Sequence, residues 1–375
     1  MKLIVNKNTI EGIISLMEKV INQKTTIPAL LNALIEVKGE DITVTASDAA
    51  KTLVMRFKAV EPAEEARLCV NAMMLGKALH DMPAEPVTFE LDGERLTIKY
   101  KGGHTYMPTF PVDEYPVPLM YEYKERMKVP GRWLADAIKR TAWAAAKDEI
   151  RVAMSGINVA QKDGGVDLVA SDGRALVRQH VMVPDQTDEA SASLIIPKDV
   201  ADLLTHLPLD EDTEIEWSDN AAHIKIRDHD LYFSLCTEKY PNYAAIIPKE
   251  TSSEVTVNRV EMMDALRRVT PFINEASKLA TIEANDDGIT IQGFDIGLET
   301  GARTTIDHQG LTGQDMKFGV SATLLMAELK NTVAINVTIR TIDATHPIII
   351  EPSEDEETPT ESTLMIAMPM RVDEE

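Results

Sequence analysis

Val5-Asn-Lys-Asn-Thr-Ile-Glu-Gly-Ile-Ile14 opens the chain, and its pattern returns as Val129-Pro-Gly-Arg-Trp-Leu-Ala-Asp-Ala-Ile138 and as Val257-Asn-Arg-Val-Glu-Met-Met-Asp-Ala-Leu266. Each stretch starts with Val and then carries two apolar residues four positions apart, which places them on one face of a helix. The three starts are about 125 residues apart, far more than the ~20–50 residues of solenoid repeats. The pattern therefore predicts three copies of one domain, each beginning with a strand end and an amphipathic helix.

Two further elements recur in each copy. The first alternates with period two, as expected of a strand, and occupies 42–48, 166–172 and 289–295. The second leads into a helix of about ten residues and starts at Val70, Ile196 and Val320. Asn71 and Ser321 are predicted N-caps, and Pro197 suits a first helical position. The sequence thus predicts an α+β fold with domains at 1–125, 126–252 and 253–375, each with two helices and several short strands.

An aspartate ends the alternating strand in every copy, at positions 48, 172 and 295. Asp172-Gly173 resembles a catalytic carboxylate, but Asp-Gly is more often turn chemistry. Its presence in all copies favours a structural hydrogen bond. Asp286-Asp287-Gly288 is likewise predicted to be a hairpin turn.

The composition is that of an ordinary globular chain, with 375 residues, 44% of them hydrophobic. It excludes a collagen-like, a disordered and a disulfide-stapled protein. The two cysteines, Cys69 and Cys236, are far apart, which favours a reducing compartment. The apolar run at the N-terminus is too short for a signal-peptide core, and no run approaches a membrane span. We therefore expect a soluble cytoplasmic protein that does not bind a membrane.

The net charge is −23, but the charge is unevenly distributed. Six helices are predicted, and together they carry twelve Lys or Arg against nine Asp or Glu; their ranges are 7–20, 71–82, 131–147, 197–207, 258–270 and 321–330. The rest of the chain is strongly acidic. Either these are ordinary solvated helix faces, or the helices face a polyanion whose phosphates Lys and Arg contact without reading sequence.

No motif supports an enzyme. The chain has no P-loop, no G-x-G-x-x-G, no H-E-x-x-H and no G-x-S-x-G. Its eight histidines show no metal-ligand spacing, and we predict neither a metal, nor a cofactor, nor a catalytic residue. The acidic segment 351–361 is predicted to be a solvated, mobile loop.

Four stretches carry a resemblance to a known family: Met368-Pro-Met-Arg371, Ala170-Ser-Asp-Gly-Arg-Ala-Leu176, Lys239-Tyr-Pro-Asn-Tyr-Ala-Ala-Ile-Ile-Pro-Lys249 and Thr26-Ile-Pro-Ala-Leu30. The chain resembles, over essentially its whole length, the bacterial DNA polymerase III β subunit family of sliding clamps. The resemblance implies three clamp domains of two helices and roughly eight strands. It also implies a head-to-tail homodimeric ring, with helices lining the hole and sheets outside. Such a ring tethers the replicative polymerase to duplex DNA and is not an enzyme.

The resemblance also implies site residues. A partner-peptide pocket between the second and third domains would use Met154, Ser171, Gly173, Arg174, Leu176, Pro241, Ile246, Ile366, Met368, Pro369 and Met370. Duplex DNA would be contacted, independently of sequence, by Lys24, Arg132, Lys139, Arg140, Lys147, Lys198, Arg267 and Arg268. The dimer interface would join the strand around Lys101–Met107 to the region of Phe272 and Ile273. The implied partners are a second copy of the chain, the replicative polymerase, the clamp loader and other proteins with clamp-binding motifs.

Two alternatives remain beside the clamp. An acidic scaffold that binds only proteins would also suit the net charge. An enzyme of DNA metabolism on the duplicated fold is the other, although no nucleophile, metal or phosphate-binding motif supports it.

Overall fold

A computed structural model describes residues 1–116, 122–148, 150–184, 192–353 and 360–372. Within these ranges the chain forms six α-helices, two in each copy of the repeat: α1 Lys7–Val20, α2 Ala72–His80, α3 Gly131–Thr141, α4 Lys198–Leu204, α5 Arg259–Val269 and α6 Ala322–Lys330. The apolar pairs that defined the repeat are all buried, namely Ile10, Ile14, Leu134, Ile138, Met262 and Leu266. The helical periodicity of the three copies therefore marks the helix faces that pack inward.

The predicted helix caps are confirmed. The side chain of Asn71 accepts a hydrogen bond from the backbone N–H of Met74, and that of Ser321 accepts one from Leu324. Each cap satisfies one of the N–H groups that a helix start leaves without an intrahelical partner.

Five of the six helices are shorter than predicted, α3 and α4 by the most. α3 ends at Thr141 and a 3-10 turn follows over Ala142–Ala144, so Lys147 lies beyond the helix. The backbone N–H of Ala146 donates instead to the carbonyl of Met154 at 2.9 Å, so a tertiary contact overrides the helix propensity of the Ala-rich run. α4 begins at Lys198, one residue after the proline that was predicted to be its first position.

The strands of the first copy are β1 Lys2–Val5, β2 Asn32–Ser47, β3 Lys51–Asn71, β4 Val87–Asp92, β5 Arg95–Tyr100 and β6 Gly103–Pro108. Those of the second are β7 Glu125–Pro130, β8 Ile157–Lys162, β9 Gly165–Ser171, β10 Ala175–Met182, β11 Ser193–Ile196, β12 Asp212–Trp217, β13 Ala221–Ile226 and β14 His229–Ser234. Those of the third are β15 Ser253–Asn258, β16 Leu279–Asn285, β17 Gly288–Asp295, β18 Thr300–Ile306, β19 Gly310–Thr312, β20 Met316–Ser321, β21 Asn336–Thr341, β22 Ile348–Pro352 and β23 Glu361–Ala367. The predicted alternating strands are confirmed as parts of β2, β9 and β17. Most of the predicted acidic loop, at 354–359, lies outside the described residues; its predicted ends are wrong, because Glu351 and Pro352 belong to β22 and Glu361 begins β23.

The chain divides into two compact units. One comprises Met1–Ala135 and Asp199–Leu235, and the other comprises Asp136–Lys198 and Cys236–Glu375. The first unit contains a four-stranded sheet in the order β1-β4-β5-β6 and a six-stranded sheet in the order β2-β3-β14-β13-β12-β7. The second contains a nine-stranded sheet, β11-β8-β9-β10-β23-β22-β21-β15-β19, and a four-stranded sheet, β18-β17-β16-β20.

Neighbouring copies of the repeat share sheets. In the first unit, β3 of the first copy pairs antiparallel with β14 of the second. In the second unit, β10 of the second copy pairs antiparallel with β23 of the third. Backbone hydrogen bonds therefore run continuously through both joints.

No helix in the described part of the chain is long and apolar enough to cross a membrane.

Candidate functional site

An apolar patch lies where β10 meets β9 and β23. Leu176 on β10 stands opposite Ser171 on β9 and opposite Ile366 on β23. Paired residues of neighbouring strands point to the same face of a sheet, so these three side chains form one row. Leu176 and Ile366 belong to a buried cluster with Val169, Ile349 and Leu364.

The segment that follows β14 covers this cluster. Tyr240, Tyr243 and Ile247 pack against it and remain partly exposed. Within the segment, Tyr243–Ile246 forms a 3-10 turn, and Ile246 at its end keeps 42% of its surface exposed. The cluster is therefore the floor of the site, and the segment 240–247 is one wall.

The turn between β9 and β10 is built by Asp172. Its Oδ1 accepts hydrogen bonds from the N–H groups of Arg174 and Ala175, each at 2.8 Å. Gly173 has φ +83°, a left-handed conformation that glycine adopts without strain. The predicted structural role of this aspartate is confirmed.

The same hydrogen bond, from a backbone N–H of the turn to the aspartate carboxylate, recurs in the other two copies. Asp48 Oδ1 accepts from the N–H of Lys51 at 2.8 Å, and Asp295 Oδ1 accepts from the N–H of Leu298 at 3.0 Å. At 286–288 the predicted hairpin turn is also confirmed, since β16 and β17 pair there up to Asn285 and Gly288.

The C-terminal stretch Met368–Met370, the second wall of the candidate pocket, lies against the turn between β9 and β10 and against β20. The N–H of Met368 donates to the carbonyl of Arg174 at 2.8 Å, and the N–H of Met370 donates to the carbonyl of Gly319 at 2.8 Å. A Cβ on Gly319 would lie 2.5 Å from the Met370 carbonyl oxygen, so only glycine permits this approach. The stretch is thus fixed between the second copy's turn and β20 of the third.

The structure divides the predicted pocket residues into a floor and a rim. Leu176 and Ile366 are each 1% exposed and Ser171 is buried, so all three belong to the floor. The accessible members are Met154, Gly173, Arg174, Pro241, Ile246, Met368, Pro369 and Met370, which are half-buried or exposed. Three of these are methionines, whose flexible thioethers adapt to varied apolar ligands.

Sequence reasoning missed Arg151. Its guanidinium donates to the carbonyl oxygen of Asp172 and pairs with Asp148, and this pairing holds the pKa of the Asp148 carboxyl below its usual range. Beside it, Ile150 and Val152 are 91% and 42% exposed. No sequence signal links Arg151 to a turn twenty residues away; the link follows from the tertiary fold.

The predicted DNA-contacting residues lie mostly on helices. Arg132, Lys139 and Arg140 are on α3, Lys198 begins α4, and Arg267 and Arg268 are in the last turn of α5. Lys24 is exposed in the turn after α1, and Lys147 is exposed beyond α3.

Some of these cations also have local partners. Arg267 pairs with Asp264 at 2.8 Å, and Lys139 with Asp136 at 3.7 Å. Cations in the last turn also complement the helix dipole, which is an ordinary structural role. Two other helix cations are structural, because Lys7 is 6% exposed beside Glu11 and Arg259 donates to the Ala334 carbonyl.

The two predicted interface residues differ in exposure. Phe272 is 45% exposed, whereas Ile273 is only 5% exposed. A Cβ on Gly293 would lie 2.3 Å from Ile273 Cγ2, so Ile273 fills space within its own domain. Phe272 is tied to β18 through its carbonyl, which accepts from Thr300 Oγ1 at 3.2 Å. Ile296 and Leu298, 81% and 74% exposed, lie between β17 and β18 and extend the apolar surface.

No group of three or more His, Cys, Asp or Glu that could hold a metal occurs among the described residues. Burial raises the pKa of the Cys69 thiol to about 11, which makes it an unreactive core thiol.

Comparison with known structures defines the class of fold. The structure superposes on the beta subunit of the DNA polymerase of Streptococcus pyogenes with a TM-score of 0.91, at 17% identity, over 99% of this chain and 100% of that one. It matches a DNA polymerase III beta sliding clamp of Pseudomonas aeruginosa bound to griselimycin equally well, with a TM-score of 0.91, 19% identity and the same coverage. The fold is that of the three-domain sliding clamps.

Sequence comparison identifies the family. The DNA polymerase III beta subunit models match in order, the N-terminal domain at 1–120, the central domain at 128–242 and the C-terminal domain at 244–371. The beta sliding clamp of Halalkalibacterium halodurans is 23% identical over 355 residues, covering 91% of this chain and 93% of that protein. That of Synechocystis sp. is 21% identical over 376 residues, covering 94% and 96%. The chain belongs to the DNA polymerase III beta subunit family.

Proposed function

We propose that two copies of this chain close head to tail into a ring around duplex DNA and hold replication proteins there, without catalysing a reaction. The observation that carries this proposal is a rule of strand pairing that the chain obeys twice. The strand that follows the repeated aspartate turn of one copy pairs with the last strand of the next copy. It does so as β3 with β14 and as β10 with β23.

Applied a third time, the rule points to a second subunit. In the third copy, β18 follows the aspartate turn, and in the first copy, β6 is the last strand. Within the described residues each is at the end of its sheet, with a strand on one side only. Unpaired edges invite pairing with another chain, and a closed symmetric dimer satisfies both ends. Phe272, Ile296 and Leu298 beside β18 supply apolar surface at this seam.

DNA would pass through the ring with loose phosphate contacts. The support is the concentration of Lys and Arg in the helices of a chain with net charge −23. Acid elsewhere on the surface would repel DNA from every other face. A modest excess of positive charge suits a contact that slides, because phosphate neutralisation carries no sequence information.

Partners would dock in the pocket formed by the floor and walls described above. The support is exposed apolar surface at Ile246 and Met368 above a buried apolar floor, the usual form of a peptide groove. Griselimycin, a peptide that is bound in the structure of the Pseudomonas aeruginosa relative, is a suitable probe. The replicative polymerase, the clamp loader and other proteins with short clamp-binding motifs are the proposed natural partners.

The same proposal sets the domains at 1–125, 126–252 and 253–375, each with two helices and several strands. The polar stretches at 124–126 and 250–253 support these boundaries. A cytoplasmic location follows from the proposed role in replication.

Solution mass tests the proposal. A ring requires twice the 41.5 kDa of one chain. A protein-only scaffold is distinguished by a lack of retention on circular DNA after loading, and an enzyme by turnover on DNA. A strict monomer at micromolar concentration would argue against the head-to-tail dimer and the closed ring.

A further inference from the structure

Asp167 is a buried carboxylate on the sheet face that carries the pocket floor, and it lies beyond the floor residue Val169 on the same strand. It is 1% exposed. Its Oδ1 is 2.8 Å from Nδ1 of His180, and its Oδ2 accepts the phenolic hydrogen of Tyr243 at 2.8 Å. It therefore joins the sheet to the wall segment 240–247.

Strand register places Asp167 relative to the floor. His180 stands opposite Asp167 just as Leu176 stands opposite Ser171. Residues two and four apart on a strand share a face, so Asp167, Val169 and Ser171 point the same way. Four residues span about 13 Å along a strand, so Asp167 lies about 13 Å from the Ser171–Leu176–Ile366 row and about 7 Å from Val169, the nearest floor residue on its strand.

The surroundings of Asp167 keep it ionised. Burial by itself would raise the pKa of this carboxyl, but hydrogen bonds from His180 and Tyr243 outweigh it, together with the positive charge of Arg178, and the pKa is lowered. Hydrogen bonds to an ionised acceptor are shorter and stronger than neutral ones. Tyr243 has a second contact, with Lys162 Nζ 5.4 Å from the centroid of its ring.

Apolar packing alone does not fix the position of the wall, whereas a directional hydrogen bond does. Tyr240, Tyr243 and Ile247 rest on the floor by apolar packing, which is non-directional and permits sliding. The Tyr243 hydroxyl donates a hydrogen bond to a carboxylate that is fixed on the sheet. This bond fixes the position of the turn Tyr243–Ile246. That turn ends at Ile246, which stands exposed at the rim.

We propose that Asp167 is a positioning residue for the partner pocket, which fixes the wall through Tyr243 without touching the bound peptide. The proposal rests on the pocket function proposed above and assigns its wall geometry to a residue outside it. Removing the tie leaves the floor intact and lets the wall shift, so a bound peptide dissociates faster.

Griselimycin binding to the full-length protein, measured by calorimetry, tests this. Tyr243→Phe removes one oxygen, and Asp167→Val replaces the acceptor with a smaller apolar side chain. Each should weaken binding roughly fivefold, and the double variant should be no weaker than either single one, because both break the same bond. Asp167→Asn should retain near-parental affinity, since its amide oxygen still accepts from Tyr243. Tyr232→Phe is the control, because it removes a phenol on β14, at a position that belongs neither to the pocket floor nor to its walls.

The outcomes separate the two proposals. Thermal unfolding shows which variants are folded at the binding temperature. If Asp167→Val is unfolded, Tyr243→Phe by itself tests the proposal. Three results would overturn the role of Asp167 without affecting the pocket proposal. They are parental affinity in folded Tyr243→Phe, effects that multiply in the double variant, and a loss of affinity with Asp167→Asn equal to that with Asp167→Val. If the unmodified protein does not bind griselimycin, the pocket proposal fails and this one with it.

Discussion

Leu176 of the second copy and Ile366 of the third lie directly opposite each other across the antiparallel pair β10 and β23. The same two side chains close the joint between copies and form the floor of the candidate pocket. The candidate binding surface is therefore a property of the joint, and neither copy alone contains it.

The pocket is tested by the double substitution Met368→Ala with Met370→Ala. We expect the unmodified protein to bind polymerase-derived peptides with micromolar affinity, about 8 kcal/mol, because a flexible peptide is ordered as it binds. Truncating both methionines removes apolar contact surface and should weaken binding at least roughly tenfold. The measurement is fluorescence anisotropy of a labelled peptide. The dimer should remain intact, as judged by its mass in solution, and full peptide affinity in the variant would eliminate this pocket.

The dimer seam is tested by Phe272→Asp. A charge on the exposed ring position beside β18 would be desolvated in the closed ring, so we expect folded monomers by analytical ultracentrifugation. Ile273 is left unchanged because it is buried in its own domain. Val333→Asp is the control, since Val333 is 73% exposed and lies between α6 and β21, outside the proposed seam. An unchanged dimer in Phe272→Asp would refute the assigned seam.

DNA contact is tested through salt dependence. Lys139→Ala with Arg140→Ala should weaken binding of linear duplex for every sequence. Each phosphate contact that is lost should reduce the slope of log K against log salt by about one. The control is Lys58→Ala with Lys124→Ala, which removes two exposed lysines paired with Asp41 and Asp219. Tight, salt-insensitive binding of linear duplex would contradict sliding contact.

The buried Glu328 predicts a pH dependence of stability. It is fully buried on α6, and among the described residues neither carboxylate oxygen has a hydrogen-bond partner. Burial, and secondarily the charge of Asp172, raise its pKa well above the usual value. Above about pH 4.5 the unfolded chain releases this proton while the folded protein keeps it, so stability falls as pH rises.

Glu328→Gln should remove that loss. Its stability relative to the unmodified protein should increase between pH 5 and pH 7, by up to roughly 1 kcal/mol per pH unit. Urea unfolding at several pH values measures it. Glu94→Gln, at an exposed position, is the control and should show no such trend. If the difference in free energy of unfolding between Glu328→Gln and the unmodified protein did not change with pH, Glu328 would be ionised in the folded protein.

Local features of the fold were predictable because they depend on local physics. The caps at Asn71 and Ser321 satisfy N–H groups within one helical turn, and the turn at Asp172 is closed by its own neighbours. Period-four and period-two patterns located the helices and strands because burial acts on each element separately.

Long-range features were not predictable from the residues alone. Nothing near Ala175–Met182 indicates that it pairs with Glu361–Ala367, since either edge accepts any antiparallel strand. The burial of Ile273 depends on Gly293, and the end of α3 on Met154. The pocket residues came from resemblance, and Arg151 and Asp167 act through contacts that only the folded chain brings together.

Retention on DNA tests the ring most directly. The protein is loaded onto nicked circular duplex by a clamp loader, and the complex is separated by gel filtration in salt high enough to abolish phosphate contacts. The account predicts that the protein stays with the circle and is released when a single cut linearises it, because only an end lets a closed ring slide off. Equal retention on circular and linear DNA, or none on either despite loading, would contradict encirclement.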